Sequence, residues 1–301
     1  MAGSQIFTRK CLRMFKKIIF VSDHFADTYV GGAELSLQAL IDTCPAQYEK
    51  VLAKNVSNEL IAHHKTAFWV FGNFSQMKWG LIPNIVENIK YSVLEFDYKY
   101  CAYRSPDLHY LKEGMECNCR NHFLDAFFTN AVNVFWMSDR QKKWYQRKVR
   151  GLADRNTMVL SSTFADSTLS DLEALSKNTQ RNGWVIVHSS SEIKGFAQTL
   201  KHAEDHKMDF RVLRNMKYSD LLAEMSKAEG LIYMPIGGDT CPRVVIEAKL
   251  LGCKLLLNDF VEHKNEFWFS SDVNFTRLHM ETNKKMFWQE ILSSDKEKIE
   301  V

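Results

Sequence analysis

The chain has 301 residues, about twice the usual domain size, so one large or two mid-sized domains are expected. An apolar share of 46% and a charged share of 25% are those of a globular chain, and a net charge of +3 argues against a protein built around a nucleic-acid backbone. The cysteine count of seven is odd, and the N-terminal stretch has no apolar core followed by a cleavage site, so reduced thiols, no signal peptide and a cytoplasmic location are expected. No run approaches the roughly 20 apolar residues of a membrane span.

In chain order, short apolar runs alternate with helical stretches, the pattern of βαβ units and parallel sheets. "KKIIFVSD" (Lys16–Asp23) reads as a buried strand, followed by Gly31-Gly32 and the helical "AELSLQALIDTC". "EKVLAKN" and "TAFWVFGNF" are the next strands, and "YSVLEFDY" a strand running into a cysteine-bearing loop. "NVFWMS" is a strand before the basic helix "DRQKKWYQRKV", and "NTMVLSS" closes this half. The polar stretch Thr163–Gly183, with one short helical piece, reads as a linker. A second cycle follows: the strand "GWVIVHSSS", Lys194-Gly195 opening the helix "FAQTLKHAEDH", the strand "DFRVLRN", and the helix "YSDLLAEMSKAE". "GLIYMPI" is a strand, "PRVVIEAKLL" a helix and "CKLLLND" a strand, and the tail from Glu281 is an amphipathic closing helix. The domains expected are thus 1–165 and 183–280, with a closing helix over 281–301.

Open α/β sheets bind ligands beyond the carboxyl ends of their strands, near helix N-termini. Gly31-Gly32, Lys194-Gly195 and Gly237-Gly238-Asp239-Thr240 all stand at such places. Glycines let a backbone come close, free amides at a helix start attract anions, and Lys194 adds a full charge suited to a diphosphate. Asp239 and Glu247 suit hydroxyl groups instead, so phosphates on amides and lysine with sugars on carboxylates describe a nucleotide-sugar site. Glu247 sits on a buried helix and needs a partner; Arg243, four residues earlier on the same face, offers an ion pair as the alternative to a ligand role.

These motifs resemble the donor-site motifs of retaining glycosyltransferases of the GT-B fold, the group-one glycosyltransferase family. Asp239-x7-Glu247 with Ala248 resembles its acid–glutamate motif, Gly31-Gly32-Ala33-Glu34 its first-loop glycines, and Lys194-Gly195 its diphosphate-binding lysine. Asp239 stands where the family usually has Glu, and His188-Ser189 where it often has Gly-Arg, with Arg243 the residue offered for the missing charge. The resemblance implies two Rossmann-like doubly wound domains facing a cleft, the N-terminal one for the acceptor and the C-terminal one for the donor, with a C-terminal helix returning to the first. It implies a retaining, hexosyltransferase-type enzyme using a UDP- or GDP-linked sugar, with no catalytic metal. Asp239 and Lys194 would be catalytic, and Gly31, Gly32, Lys194, Gly238, Asp239, Thr240, Cys241, Pro242, Arg243 and Glu247 would bind the donor, Glu247 through the ribose. The acceptor expected is a saccharide or lipid-linked glycan, with no nucleic-acid partner and at most peripheral membrane contact. His24, after the first strand, is the one acceptor-side catalytic histidine on offer. The alternatives are a catalytically inactive nucleotide-sugar-binding protein and a nucleotide-sugar epimerase of the same architecture.

A separate signal is Cys101, His109, Cys117 and Cys119, the ligand types of a structural zinc site at a spacing unlike that of zinc fingers. Scattered buried cysteines are the alternative. The basic helix with Trp144 and Tyr145 reads as a solvated face, or as a surface for an anionic membrane or acceptor.

Overall fold

A computed structural model describes residues 17–152 and 157–293. The stretch before Lys17, and the part of the expected closing helix that falls after Ser293, lie outside the described residues.

Two parallel sheets carry the chain. The first has six strands in the order β2-β1-β3-β4-β5-β6, and the second four in the order β10-β9-β7-β8. In the first, β1 (Lys17–Ser22) pairs with both β2 (Gln47–Leu52) and β3 (Phe68–Phe71), while β4 (Lys90–Glu95), β5 (Val134–Trp136) and β6 (Thr157–Val159) follow in sequence. In the second, β7 (Trp184–Val187) pairs with both β8 (Phe210–Leu213) and β9 (Gly230–Tyr233), and β10 (Lys254–Leu257) lies outside β9. Every ladder is parallel, so the strands need helical crossovers, and the inner ones such as β1, β3 and β9 are buried on both faces and read as apolar runs, while the edge strand β2 is partly exposed and polar. In both sheets the chain reverses its direction of winding beside the first strand, so the β1/β3 and β7/β9 boundaries are the places where a crevice opens beyond the strand ends.

The stretch read as a linker contains an extended crossing and then a helix, Asp166–Ser176, whose Leu169 and Leu172 are buried in the same core as Leu213, Leu222 and Val245 of the second sheet's layers. That helix is the short helical piece read in this stretch, and its buried leucines make it part of the core rather than of a free linker. The closing helix begins earlier than expected, at Val273, and is described to Ser293. It returns to the first sheet, where Phe287 lies 4.6 Å from Phe135 and Trp288 meets Phe20 edge-on while its indole N–H donates to Thr43 Oγ1 at 3.1 Å. Four helices of the first sheet, Asn58–His63, Ile82–Asn88, Pro106–Glu113 and His122–Asn130, add to those read from sequence. Three of them start on side-chain caps, at Ser57, Ser105 and Asn121. Among the described residues no helix is long and apolar enough to cross a membrane.

A buried carboxylate helps clasp the two sheets. Glu262, after β10, accepts from Tyr98 Oη at 2.7 Å and Ser138 Oγ at 2.5 Å, both from the first sheet's loops. Burial pushes its carboxyl up to about 7, the two hydroxyl donors opposing the rise. A carboxyl held above its ordinary range stabilises the fold while protonated. Its contribution is whole below its ordinary pKa of 4.5 and is lost as pH rises through about 7. His263 and His279, pushed down to about 3 and about 4 by burial, give the opposite slope, so a comparison with Glu262→Gln is needed to isolate the glutamate. In urea unfolding, the wild type should lose up to about 3 kcal/mol relative to Glu262→Gln between pH 4.5 and 7.5. Parallel pH profiles for the two proteins would show that Glu262 ionises normally.

Candidate active site between the two sheets

A cleft of about 390 Å³ opens where the two switch points face each other. Its walls bring together Gly31 and Gly32 from the end of β1, Lys194 from the end of β7, and Gly238 to Arg243 from the end of β9. These are the three motifs singled out in the sequence, more than 150 residues apart from first to second.

The helices that begin at these loops leave their first amides without a side-chain cap. Gly31 precedes Gly32–Ile41, Gly195 precedes Phe196–Asp205 and Pro242 precedes Arg243–Leu250, none with a capping hydrogen bond. Uncapped amide hydrogens at a helix start carry partial positive charge and suit an anion. Gly195 has a fold reason of its own. Its φ is +62°, and a Cβ there would lie 2.1 Å from the carbonyl oxygen of Met234.

Lys194 and Asp239 meet directly: the ammonium is 2.7 Å from Asp239 Oδ2, which also accepts from the Tyr233 hydroxyl. Lys194 is about one-third exposed to the cleft, whereas Asp239 is nearly covered. The loop carrying Asp239 is pinned by its amide on the Phe260 carbonyl at 2.8 Å and by Thr240 Oγ1 donating to the Phe96 carbonyl at 2.7 Å. Cys241 is buried against the interdomain crossing: Ser162 donates its amide to Cys241 Sγ at 3.3 Å and its hydroxyl to the Cys241 carbonyl at 2.8 Å. Burial pushes that thiol up to about 12, so it is an inert packing group.

Arg243 lines the cleft with its stem and spends its guanidinium beneath it. The group packs 3.8 Å over the Phe164 ring, donates to the Thr163 carbonyl, and reaches Tyr218 Oη at 3.3 Å. Its Cδ lies 3.5 Å from where a Cβ on Gly32 would stand, so the first-loop glycine makes room for this arginine as well as for a ligand.

The structure does not bring Glu247 to the cleft. It is buried below, accepting from Tyr218 Oη at 2.6 Å and facing Arg243 Nε at 3.4 Å. The ion pair read as the alternative to a ribose contact is the one that forms. Burial pushes its carboxyl up and Arg243 opposes the rise. The neighbouring Tyr218 hydroxyl is raised beyond the normal tyrosine range, burial again leading and Glu247 adding to it.

Apart from Glu34 of the first-loop motif, the opposite wall was not read from sequence. It includes Glu34, Asn73, Asp97 and Arg104. Arg104 Nη1 bonds both Asp97 oxygens at 3.0 and 3.1 Å, and Lys99 reaches Asp97 at 3.0 Å and the buried Glu95 at 3.5 Å. Burial alone would raise the Asp97 carboxyl; Lys99 and Arg104 outweigh it and hold the group below its usual range. Burial raises Glu34. The available signal was the charge run Glu95, Asp97, Lys99 placed at the carboxyl end of a strand buried on both faces. His24 is exposed beside Tyr29, with rings 5.6 Å apart, and is not among the residues lining the cleft, though Tyr29 is.

Two other regions flank the cleft. Cys101, His109, Cys117 and Cys119 converge on one another but do not line it. A larger groove of about 540 Å³ is lined by Tyr98, Tyr110 and Trp144 with Arg140, Arg147 and Lys148. The basic helix behind it is not a free cationic face: Arg140 pairs with Asp107 at 2.7 Å, Lys143 with Asp139 at 2.5 Å, and Lys148 donates to the Cys117 carbonyl at 2.7 Å.

No family model and no curated protein matches the sequence. The structure does match solved ones. A trehalose-6-phosphate synthase superposes with a TM-score of 0.59 at 8% identity, covering 93% of each chain. A sucrose-phosphate synthase from Thermosynechococcus elongatus gives 0.58 at 11% identity, covering 93% of this chain and 92% of that one. An α-glucosyltransferase solved with UDP-glucose and DNA containing an abasic site gives 0.54 at 12% identity, covering 94% and 93%. At these identities the likeness establishes the fold, which is GT-B.

Glu247→Ala would leave the Arg243 charge buried and unpaired and should lower unfolding free energy by about 3–5 kcal/mol. A variant as stable as wild type in denaturant would show that the pair is not holding the helix start.

Proposed function

We propose that this chain is a glycosyltransferase that moves a sugar from a nucleoside-diphosphate sugar to an acceptor hydroxyl, with retention of configuration. The observation that carries the proposal is the meeting of Gly31-Gly32, Lys194 and Gly238–Arg243, from three separate strand ends, on one cleft. The donor's diphosphate would lie on the uncapped amides of the Gly31 and Pro242 loops, with Lys194 beside it. As the sugar–phosphate bond lengthens, charge gathers on the departing diphosphate, and a preorganised ammonium and amides stabilise that charge without rearranging solvent. The UDP-glucose found with an α-glucosyltransferase of this fold makes a UDP-linked hexose the first donor to try, with GDP-linked sugars next.

The local electrostatics add a condition. Lys194 is held by Asp239, Arg104 by Asp97 and Arg243 by Glu247, so each of these cations already has a carboxylate. A diphosphate must take the place of a carboxylate on Lys194. Asp239 would then be released toward the sugar, where it can accept from a hydroxyl, still steadied by Tyr233. This assigns Asp239 a role in placing the sugar and Lys194 the leaving group. Glu34, Asn73, Asp97 and Arg104 would face the acceptor from the first sheet, and a saccharide hydroxyl suits that hydrogen-bonding wall. The reaction needs no metal at the cleft, since protein charge fills that role.

The two carboxylate-paired roles separate in an assay of nucleoside diphosphate released from UDP- and GDP-linked hexoses, with and without saccharide acceptors. Lys194→Met should cut turnover by about 10²–10³, the cost of losing one transition-state donor. Asp239→Asn should bind nucleoside diphosphate at least as tightly as wild type, because Lys194 is freed, while losing turnover. Wild-type binding without any release would indicate a silent nucleotide-sugar binder, and a sugar recovered with changed stereochemistry and no acceptor would indicate an epimerase.

A further inference from the structure

We infer that Cys101, His109, Cys117 and Cys119 hold one zinc ion, and that this ion braces the helix against which the Gly237-Gly238 loop is set. Cys101 Sγ is 3.7 Å and Cys119 Sγ 4.0 Å from the same nitrogen, His109 Nδ1. The ligand atoms of Cys101, His109 and Cys117 all lie within 4.8 Å of one another. A tetrahedral zinc with Zn–S of about 2.3 Å and Zn–N of about 2.0–2.1 Å sets its ligands on edges of about 3.5–3.8 Å. Cys101, His109 and Cys117 thus stand close enough to close on one ion by side-chain rotation, and Cys119, 4.0 Å from His109 Nδ1, is within reach as the fourth ligand. A disulfide would need only one pair of sulfurs in contact and gives no reason for an imidazole nitrogen to stand within 4.0 Å of two of the thiols.

The positions of the four groups in the chain fit a staple. Cys101 lies in the turn after β4, His109 on the helix Pro106–Glu113, and Cys117 and Cys119 in the irregular stretch that follows the left-handed Gly114. That stretch, 115–121, has no helix or strand and exposes Met115, so it has little apolar burial to fix it. A zinc would fix it by joining three backbone pieces. Three thiolates and one neutral imidazole around Zn²⁺ leave one net negative charge, and Lys148 stands beside it on the Cys117 carbonyl. Four protein ligands leave no open position, so the ion is structural.

What the staple holds is the wall of the cleft. Cβ atoms added at Gly237 would come within 2.6 Å of Ser105 Oγ and 3.0 Å of Leu108 Cβ, so the helix start and the second sheet's loop touch backbone to side chain. Asp107 Oδ2 accepts from the Gly238 amide at 3.1 Å while both its oxygens are held by Arg140. One turn beyond His109, Lys112 reaches Glu192 at 2.5 Å, two residues before Lys194. Through this one helix the metal acts on both Asp239 and Lys194 while touching neither.

The test needs no knowledge of substrate. Zinc is measured by elemental analysis on full-length protein as purified, together with its release to a chromophoric chelator as thiols are titrated with a mercurial. About one zinc per chain is expected, lost in Cys117→Ser and in Cys119→Ser, and retained in Cys44→Ser, whose thiol lies outside the cluster. Cobalt(II) should give the intense visible bands of a tetrahedral thiolate site. On metal removal, hydrogen exchange should quicken in 106–113 and in 237–240 while β3 stays protected. Metal-free protein with free thiols, a disulfide found among these cysteines by mass spectrometry, or zinc retained in the Cys117→Ser/Cys119→Ser double variant would each overturn the site. Zinc present with unchanged exchange at 237–240 would overturn the brace. Failure of nucleotide binding would leave this inference untouched.

Discussion

The cleft depends on one close approach. The loop after β9 is pressed against the start of helix Pro106–Glu113 so tightly that neither Gly237 nor Gly238 has room for a side chain: a Cβ on Gly238 would stand 2.3 Å from Glu262 Oε1 and 2.8 Å from Asp107 Oδ2. That contact fixes the distance between the sheets at the point where Asp239 leaves the loop, and so fixes where Lys194 finds its carboxylate. The closing helix and the Glu262 clasp hold the sheets together at other points, through Phe287 on Phe135 and through Tyr98 and Ser138. A parallel sheet offers its ligand-binding edge only at the strand carboxyl ends, so two such sheets make a joint site only when those edges are set face to face.

With the edges facing, charge decides what the cleft can do. It has cations suited to a diphosphate, but Lys194, Arg104 and Arg243 are each matched by a carboxylate. Such matching keeps the charges from being stranded in a partly dry crevice. It also makes entry of an anion an exchange of one carboxylate for another acid. The pair that can exchange is Lys194–Asp239, since Lys194 is partly exposed, whereas Arg243 and Glu247 are both buried and serve to set the start of the helix that follows Pro242.

Much of this was legible in the sequence. The central strands β1, β3, β4, β5, β7 and β9 announce themselves as apolar runs, because strands inside a parallel sheet are covered on both faces, whereas edge strand β2, QYEKVL, is largely polar and half exposed. The loop motifs were legible because glycine, lysine and acid at strand ends have few other reasons to recur. The short helices of the first sheet were not, since Pro106–Glu113 has only Leu108 and His109 buried and owes its place to capping by Ser105 and to contacts made across the fold. The reading of Gly237-Gly238 shows the limit most plainly. Sequence offered the pair as room for a ligand, but what needs the room is another part of the same chain. Glu247 shows it again: its burial and its partner Arg243 were both visible in the helical spacing, but only the fold could say whether its carboxylate faced the cleft or the core. Asp97 and Arg104 escaped because their partnership crosses a turn whose path no periodicity records.

The central claim, that three loops form one diphosphate site around Lys194, is tested most directly by calorimetric titration of the wild-type protein and Lys194→Met with UDP, GDP and ADP. The account predicts that one nucleotide binds the wild type with micromolar affinity and that the variant binds it at least tenfold more weakly, the loss of one charge-assisted contact. No binding of any of the three, or equal binding by both proteins, would contradict it.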